Sequence, residues 1–273
     1  MSAGRLVICP TPIGNLEDVT LRVLAALREA DIVACEDTRR TRTLLHRYGV
    51  TGTLVSYHEH NERERAAELI PRMRSGAVVA LVSDAGMPLV SDPGFILVEA
   101  CVAAGLSVEV LPGPSSAIAA LVASGLPAER WRFTGFLPRK KGELERVLLS
   151  STDTLVAFES PKRLPATLAL LAAADPGRPA AVCRELTKLH EEVRRGSAAE
   201  LAEHYSQEPP RGEVVLVVGP APARLLAPGD EERAVTALRT LVEAGAKPRV
   251  AAKVIAELTG LGANRLYAAL TKR

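Results

Sequence analysis

Up to about position 125 the sequence alternates short apolar runs with stretches of helical periodicity, and this alternation limits the fold more than any other feature. It predicts strands over residues 6–9, 32–35, 54–56, 78–82 and 106–111, and helices over 18–30, 38–47, 62–73, 96–104 and 115–124. Within the third helix, Ala66, Leu69, Ile70 and Met73 recur at i, i+3, i+4 and i+7 and make one apolar face. Strands separated by helices of this length form βαβ units, hence a mostly parallel sheet. A second series follows, with strands over 131–135, 154–158, 179–183 and 213–219 and helices over 161–174 and 197–204. The expected fold class is α/β, with one α/β domain over 1–114 and a second over 115–220. A Pro-rich linker over 220–229 then leads to a helical extension over 230–273. Its helices span 231–244, 249–258 and 264–271, the last two meeting at Gly260-Leu261-Gly262. That pair reads either as a helix-turn-helix or as a capping bundle.

A length of 273 residues, 47% hydrophobic, suits one large domain or two ordinary ones. No apolar run approaches the roughly 18 residues of a membrane span. The run at 6–9 is too short for the apolar segment of a signal peptide, so a cytoplasmic location and no membrane contact are expected. Cys9, Cys35, Cys101 and Cys183 are scattered without a C-x-x-C pair, which points to buried thiols rather than zinc or disulfides. The net charge is only +2, but Arg39-Arg40-x-Arg42, Arg139-Lys140-Lys141 and the C-terminal tail concentrate positive charge. Such clusters suit phosphate contacts, the alternative being solvated surface.

Three strand ends carry turn-rich loops: Thr11-Pro12-Ile13-Gly14-Asn15-Leu16, the stretch from Ser83 to Gly94, and Pro112-Gly113-Pro114-Ser115-Ser116. In an open parallel sheet these ends share one edge, where ligands bind. Ser115 or Ser116 also reads as a helix cap. The loops carry no P-loop Lys, and G-x-G-x-x-G and G-x-S-x-G are both absent from the sequence. Glu36-Asp37-Thr38-Arg39-Arg40 follows the second strand as a polar rim, with Asp37 also a candidate cap. His58-Glu59-His60 lacks the spacing of a metal motif, and no metal is expected. Phe133 and Phe136 precede the basic run at 139–141, an arrangement that suits either base stacking or core packing with the basic run in solvent.

Taken together, these motifs resemble the tetrapyrrole-methylase superfamily. The resemblance rests on Thr11 to Leu16, Glu36-Asp37-Thr38-Arg39, Ser83-Asp84-Ala85-Gly86 with Ser91-Asp92-Pro93-Gly94, and Leu111 to Ser115. It continues through Gly135-Phe136-Leu137-Pro138, Glu159-Ser160-Pro161 and Arg184 to Lys188. Within it, the motifs resemble the branch that methylates a cytidine 2′-oxygen in bacterial 16S rRNA. The resemblance implies two α/β domains with S-adenosylmethionine in the cleft between them, a homodimer, and no metal. It implies donor contacts from Thr11, Pro12, Asp84, Gly86, Met87, Ser115, Ser116, Phe158 and Leu186. It implies as substrate a cytidine in the decoding region of 16S rRNA, within the 30S subunit or a late precursor. Met87 stands where the family usually has Thr, and Lys162 where many members have His.

Methyl transfer from a sulfonium is an in-line displacement. The acceptor hydroxyl is a weak acid, so a base or a nearby cation assists. Glu36, Asp37, Asp92 and Glu159 are candidate bases, and Lys162 could steady a developing alkoxide. Arg39, Arg40, Arg139, Lys140, Lys141, Lys253 and Arg265 are the candidate RNA contacts. A tetrapyrrole methyltransferase and a non-catalytic RNA-binding protein are the alternatives.

Overall fold

A computed structural model describes residues 4–221, 230–259 and 261–271. The expected linker over 222–229, Gly260 of the expected turn and the basic residues Lys272 and Arg273 lie outside the described residues. The chain divides into two compact units, Met1–Pro220 and Ala221–Arg273.

The first half of the larger unit runs β1 (Arg5–Ile8), α1 (Leu21–Glu29), β2 (Ile32–Cys35), α2 (Thr38–Arg47), β3 (Thr53–Ser56), α3 (Glu62–Arg74), β4 (Val78–Val82), α4 (Phe95–Ala103) and β5 (Ser107–Val110). The strands form a parallel sheet in the order β3-β2-β4-β1-β5. The central β2 and β4 are buried almost throughout, because helices cover both faces. Which helix covers which face follows from the strand order. The steps β1 to β2 to β3 run one way across the sheet, and β3 to β4 to β5 run the other. Right-handed crossovers therefore send α1 and α2 to one face and α3 and α4 to the opposite one. Accordingly Val23, Leu27 and Leu45 pack in one core, and Ala66, Leu69, Met73, Leu97 and Cys101 in the other. The neighbours β1 and β4 thus feed helices on opposite faces, which opens a crevice beyond their carboxyl ends.

The second half runs α5 (Ser116–Ser124), β6 (Trp131–Phe136), α6 (Lys141–Leu149), β7 (Thr154–Glu159), α7 (Leu164–Ala174), β8 (Pro179–Arg184), β9 (Glu192–Ser197), α8 (Ala198–Gln207) and β10 (Val214–Val218). Its sheet has the order β6-β7-β10-β8-β9, and only the β6–β7 pair is parallel. Period-2 alternation divides the core. Val214, Leu216 and Val218 face α6, α7 and α8, whereas Val215 and Val217 face α5. Ile13, from the loop after β1, also packs on the α5 side. Buried Arg178 ties the second half together by donating from Nε to the Gly219 carbonyl (2.6 Å) and from Nη2 to the Ser151 carbonyl (3.0 Å).

Strand β9 has no counterpart in the sequence expectation, and α6 was expected only as a helix opened by the basic run, without bounds. Strand β9 carries the charged run Glu192-Val193-Arg194-Arg195, which hides its apolar signal and suits a sheet edge. The bounds of α6 were obscured by its opening Lys141-Gly142. The helix expected from residue 18 begins at Leu21, after a short 3₁₀ turn over Leu16–Asp18, with the Thr20 hydroxyl accepting the Val23 N–H as its cap.

The smaller unit contains α9 (Asp230–Glu243), α10 (Pro248–Thr259) and α11 (Ala263–Thr271). Ala234, Leu238, Ala251, Ala252, Ile255, Leu261 and Leu266 make its core. Among the described residues no helix is long and apolar enough to cross a membrane.

Candidate active site

The loops after β1 and β4 are sewn together. Thr11 and Gly86 exchange both backbone N–H···O bonds at 2.9 Å, and the buried Thr11 hydroxyl donates to the Ser83 carbonyl at 3.0 Å. Strand order makes the ends of β4, β1 and β5 neighbours, so all three turn-rich loops do lie on one edge. The loop after β8 closes over them. Gly14 is required here by close approach, since a Cβ would sit 2.4 Å from Lys188 Cγ and 2.7 Å from Thr187 Oγ1. The Asn15 N–H donates to that Thr187 hydroxyl at 3.0 Å.

A cavity of about 350 Å³ lies between these loops and the second sheet. Ile13, Val90, Phe136, Phe158, Leu186 and Val215 supply apolar walls, and Ser115 and Ser116 supply hydroxyls. The charged lining residues are Asp92, Glu159, Glu185 and Glu213; no Lys, Arg or His is among the described lining residues. Ser115 sits at the N-cap of α5 but makes no side-chain cap bond, contrary to the capping reading, and lines the cavity instead. A second cavity of about 290 Å³ adjoins, shares Ile13, Ala85 and Glu213, and carries Arg40 and Lys188.

Backbone strain concentrates around the larger cavity. Among the described residues, the non-glycine residues with positive φ are Leu89 (71°), Ser91 (69°), Glu185 (49°) and Thr187 (66°). All four belong to the loops after β4 and β8, and such conformations cost of order 1–3 kcal/mol each. They are retained here because surrounding bonds fix the loops. Glu185 Oε1 accepts from Lys188 Nζ (2.9 Å) and from the Glu213 N–H (2.8 Å), and Lys188 Nζ also reaches Glu213 Oε2 (3.0 Å). Gly212 leaves the room that Glu185 fills, since a Cβ there would lie 2.4 Å from its carboxyl carbon.

The profile of the Tetrapyrrole (Corrin/Porphyrin) Methylases matches residues 5–202. The chain belongs to the tetrapyrrole methylase family. A ribosomal RNA small subunit methyltransferase I of Mesorhizobium japonicum is 47% identical over 267 residues, covering 96% of this chain and 90% of the relative. The protein of the same name from Thermotoga maritima is 44% identical over 79% of this chain and 98% of its own length. Among solved structures of the tetrapyrrole methylase fold, a uroporphyrin-III C-methyltransferase from Thermus thermophilus, complexed with S-adenosyl homocysteine, has a TM-score of 0.57. It is 23% identical and covers 79% of this chain and 97% of its own.

Within this tetrapyrrole methylase cleft, the residues singled out from the sequence are divided. Gly86, Met87, Ser115, Ser116, Phe158 and Leu186 line the larger cavity, whereas Thr11, Pro12 and Asp84 line its neighbour. Asp84 is committed locally: Oδ1 accepts the Asp37 N–H (3.0 Å) and Oδ2 pairs with Arg40 (3.5 Å). Asp37 caps α2 by accepting the Arg39 N–H (2.8 Å), and its pairing with the Arg39 side chain holds it down at about 2. Glu159 is buried with both oxygens engaged, one by Thr167 Oγ1 (2.7 Å) and the other by the Ser160 N–H (2.7 Å). Asp92 is different: burial and the nearby Glu36 push it up to about 6. Glu36 itself is raised by burial and by Asp84. Lys162 is exposed and lines neither cavity.

The basic candidates also differ. Arg265 is held by Glu231 through two bonds of 2.6 and 2.7 Å, which occupies the guanidinium expected to meet RNA. Lys253 is exposed on α10, and Arg139, Lys140 and Lys141 are exposed around the start of α6. Lys140 and Lys141 pair loosely with Glu143 (3.6 Å) and Glu145 (3.9 Å). Among the described residues no cluster of three or more His, Cys, Asp and Glu could hold a metal ion. The residues that the sequence reading left out are Val90, Glu213 and Gly212. Val90 lies in the Ser83–Gly94 loop already singled out, whereas Gly212 and Glu213 sit in a segment without a motif and only the fold brings them to the cleft.

Proposed function

We propose that this protein transfers a methyl group from S-adenosylmethionine to the ribose 2′-oxygen of a cytidine in the decoding region of bacterial 16S rRNA. Its substrate is the 30S subunit or a late precursor, and it works as a cytoplasmic homodimer. The observation that carries the reading is the charge of the larger cavity, whose charged walls are carboxylates alone. A sulfonium cation is favoured in such a site and a neutral thioether product is not, so the walls discriminate donor from product. Volume and polarity fit as well: apolar walls suit a purine, and the Ser115 and Ser116 hydroxyls supply the few polar groups that a nucleoside site needs. When bound, the donor supplies an electrophilic methyl group.

The chain's own residues then orient the acceptor and remove its proton. Of the carboxylates considered, Asp92 suits a general base best. It lines the cavity, its affinity for a proton is raised toward neutral pH, and no ion pair engages it among the described residues. Glu36, behind it, keeps that affinity high. Asp37 is too acidic and Glu159 is fully bonded, so each serves to fix its loop. The relatives named as small subunit rRNA methyltransferases support RNA as the acceptor. Leu21, Phe95, Val102, Ile118 and Val122, large apolar residues exposed on helices of the larger unit, support self-association.

The deciding experiment is methyl transfer from labelled donor to 30S subunits isolated from cells that lack this protein, followed by nucleoside mass spectrometry. The expected product is a 2′-O-methylated cytidine that requires both donor and protein. Transfer to a base carbon or nitrogen, or to no RNA at all, would overturn the assignment.

A further inference from the structure

Resting on that reading, we propose that Phe136 is the platform on which the target cytosine stacks while its ribose enters the cleft. The sequence allowed Phe133 and Phe136 to be core residues, and the structure separates them. Phe133 is partly buried against the α5-side core, whereas Phe136 is 66% exposed although it lines the donor cavity.

A β-bulge places it there. Phe133 pairs with Val156 and Phe136 with Phe158, so β6 holds one more residue than β7 between those pairs. Gly135, at φ 63°, takes up the extra residue. Plain alternation would turn Phe136 to the opposite face from Phe133. The bulge returns it to the face of Val156 and Phe158, which is the face that ends in the cavity, and bulges beside functional sites commonly re-aim a side chain in this way. The ring is then held on edge: its centroid lies 5.4 Å from that of Phe158 at 63°, and Phe158 is braced by Phe133 at 5.0 Å and 72°. Edge-on packing leaves a face of Phe136 free for a planar partner.

The chain that follows suits a nucleotide. Arg163 clamps the strand exit by donating to the carbonyls of Leu137 (3.1 Å) and Pro138 (2.6 Å). The exposed Arg139, Lys140 and Lys141 come next, within reach of phosphates flanking a base on the ring. A 2′-oxygen can approach the donor only if its nucleotide is splayed from its neighbours, and a sequence-tolerant aromatic face is the usual support for such a base.

The test compares Phe136→Leu and Phe136→Tyr with the unaltered protein in two assays. The first measures donor affinity by calorimetry and KM for 30S subunits. The second follows the fluorescence of an RNA oligonucleotide carrying a fluorescent cytidine analogue, whose emission is quenched by stacking, and needs no methyl transfer. Phe136→Leu is expected to raise KM about tenfold or more and to abolish the quench, with donor affinity falling by less than KM rises because the leucine keeps an apolar wall, and Phe136→Tyr is expected to restore both. An unchanged KM with the quench retained in Phe136→Leu would overturn the platform. So would a loss confined to donor affinity, which would assign the ring to the donor. A quench that depends on Phe136, in a protein that transfers nothing to RNA, would uphold the platform and sink the methyltransferase reading instead.

Discussion

The carboxylates gathered around the cleft come from both sheets and are managed in opposite ways. On the parallel sheet's edge Asp92 lines the larger cavity with Glu36 and Asp84 near it; Asp84 is paired with Arg40, whereas Glu36 and Asp92 are pushed upward. Glu159, Glu185 and Glu213, from the mixed sheet, are each given partners, and hydrogen bonds from Glu213 and Lys188 hold Glu185 below its ordinary value. The first arrangement stores a group ready to accept a proton near neutral pH. The second builds a rigid wall. Similar side chains on the two sides of one cavity thus do chemistry on one side and architecture on the other, and the difference lies in the cations and N–H groups that surround them.

The sharpest way to break this contrast is Asp92→Asn. It is expected to lower kcat by about a hundredfold or more, within the range for loss of a general base, with a much smaller loss of donor affinity because three carboxylates still line the cavity. The unaltered enzyme should lose activity on the acid side with a midpoint near the value of about 6 assigned to Asp92. A full rate in the Asn variant would return Asp92 to a passive role.

A smaller effect is expected on the wall side. Lys188→Met leaves Glu185 and Glu213 facing each other without their cation and should cost about 1–2 kcal/mol in urea unfolding, less at high salt. If stability is unchanged, the three charges do not fix the wall.

The same Asp92→Asn variant also tests the electrostatics directly. Because the folded state raises the proton affinity of Asp92 from 3.8 to about 6, that group favours folding below pH 4 and loses the benefit as pH rises through 6. Asn cannot ionise. The variant should therefore melt a few degrees higher than the parent at pH 8, with the gain vanishing at pH 4. A gain that is equal at both values would point to packing rather than charge. The smallest effect expected is that of Thr11→Val, which removes one buried hydroxyl bond to Ser83 and should cost about 1 kcal/mol of stability.

Much of the parallel half was legible in the sequence, since runs such as Val78 to Val82 between amphipathic helices carry strong periodic signals. The gathering of three loops on one edge followed from the parallel sheet expected of βαβ units. The mixed half was harder. Strand β9 is charged along its length, and its pairing with β8 is decided by the sheet rather than by its own pattern. The strained backbone at Glu185 and Thr187 had no signal at all, because neither residue type favours positive φ and only tertiary bonds hold them there. The division of labour among the acids was likewise invisible: Asp37, Asp92 and Glu159 read alike until their neighbours were in place.

The four buried, unpaired cysteines have a practical consequence. Burial pushes the Cys9 thiol up to about 12 and those of Cys101 and Cys183 to about 11, and raises that of Cys35. Reagents that attack thiolates will find almost none at neutral pH. A single cysteine introduced on the surface, in the loop after β8 for instance, would then be the one site that takes up a dye. The native background needs no prior removal before a dye in that loop is used to report ligand binding by fluorescence.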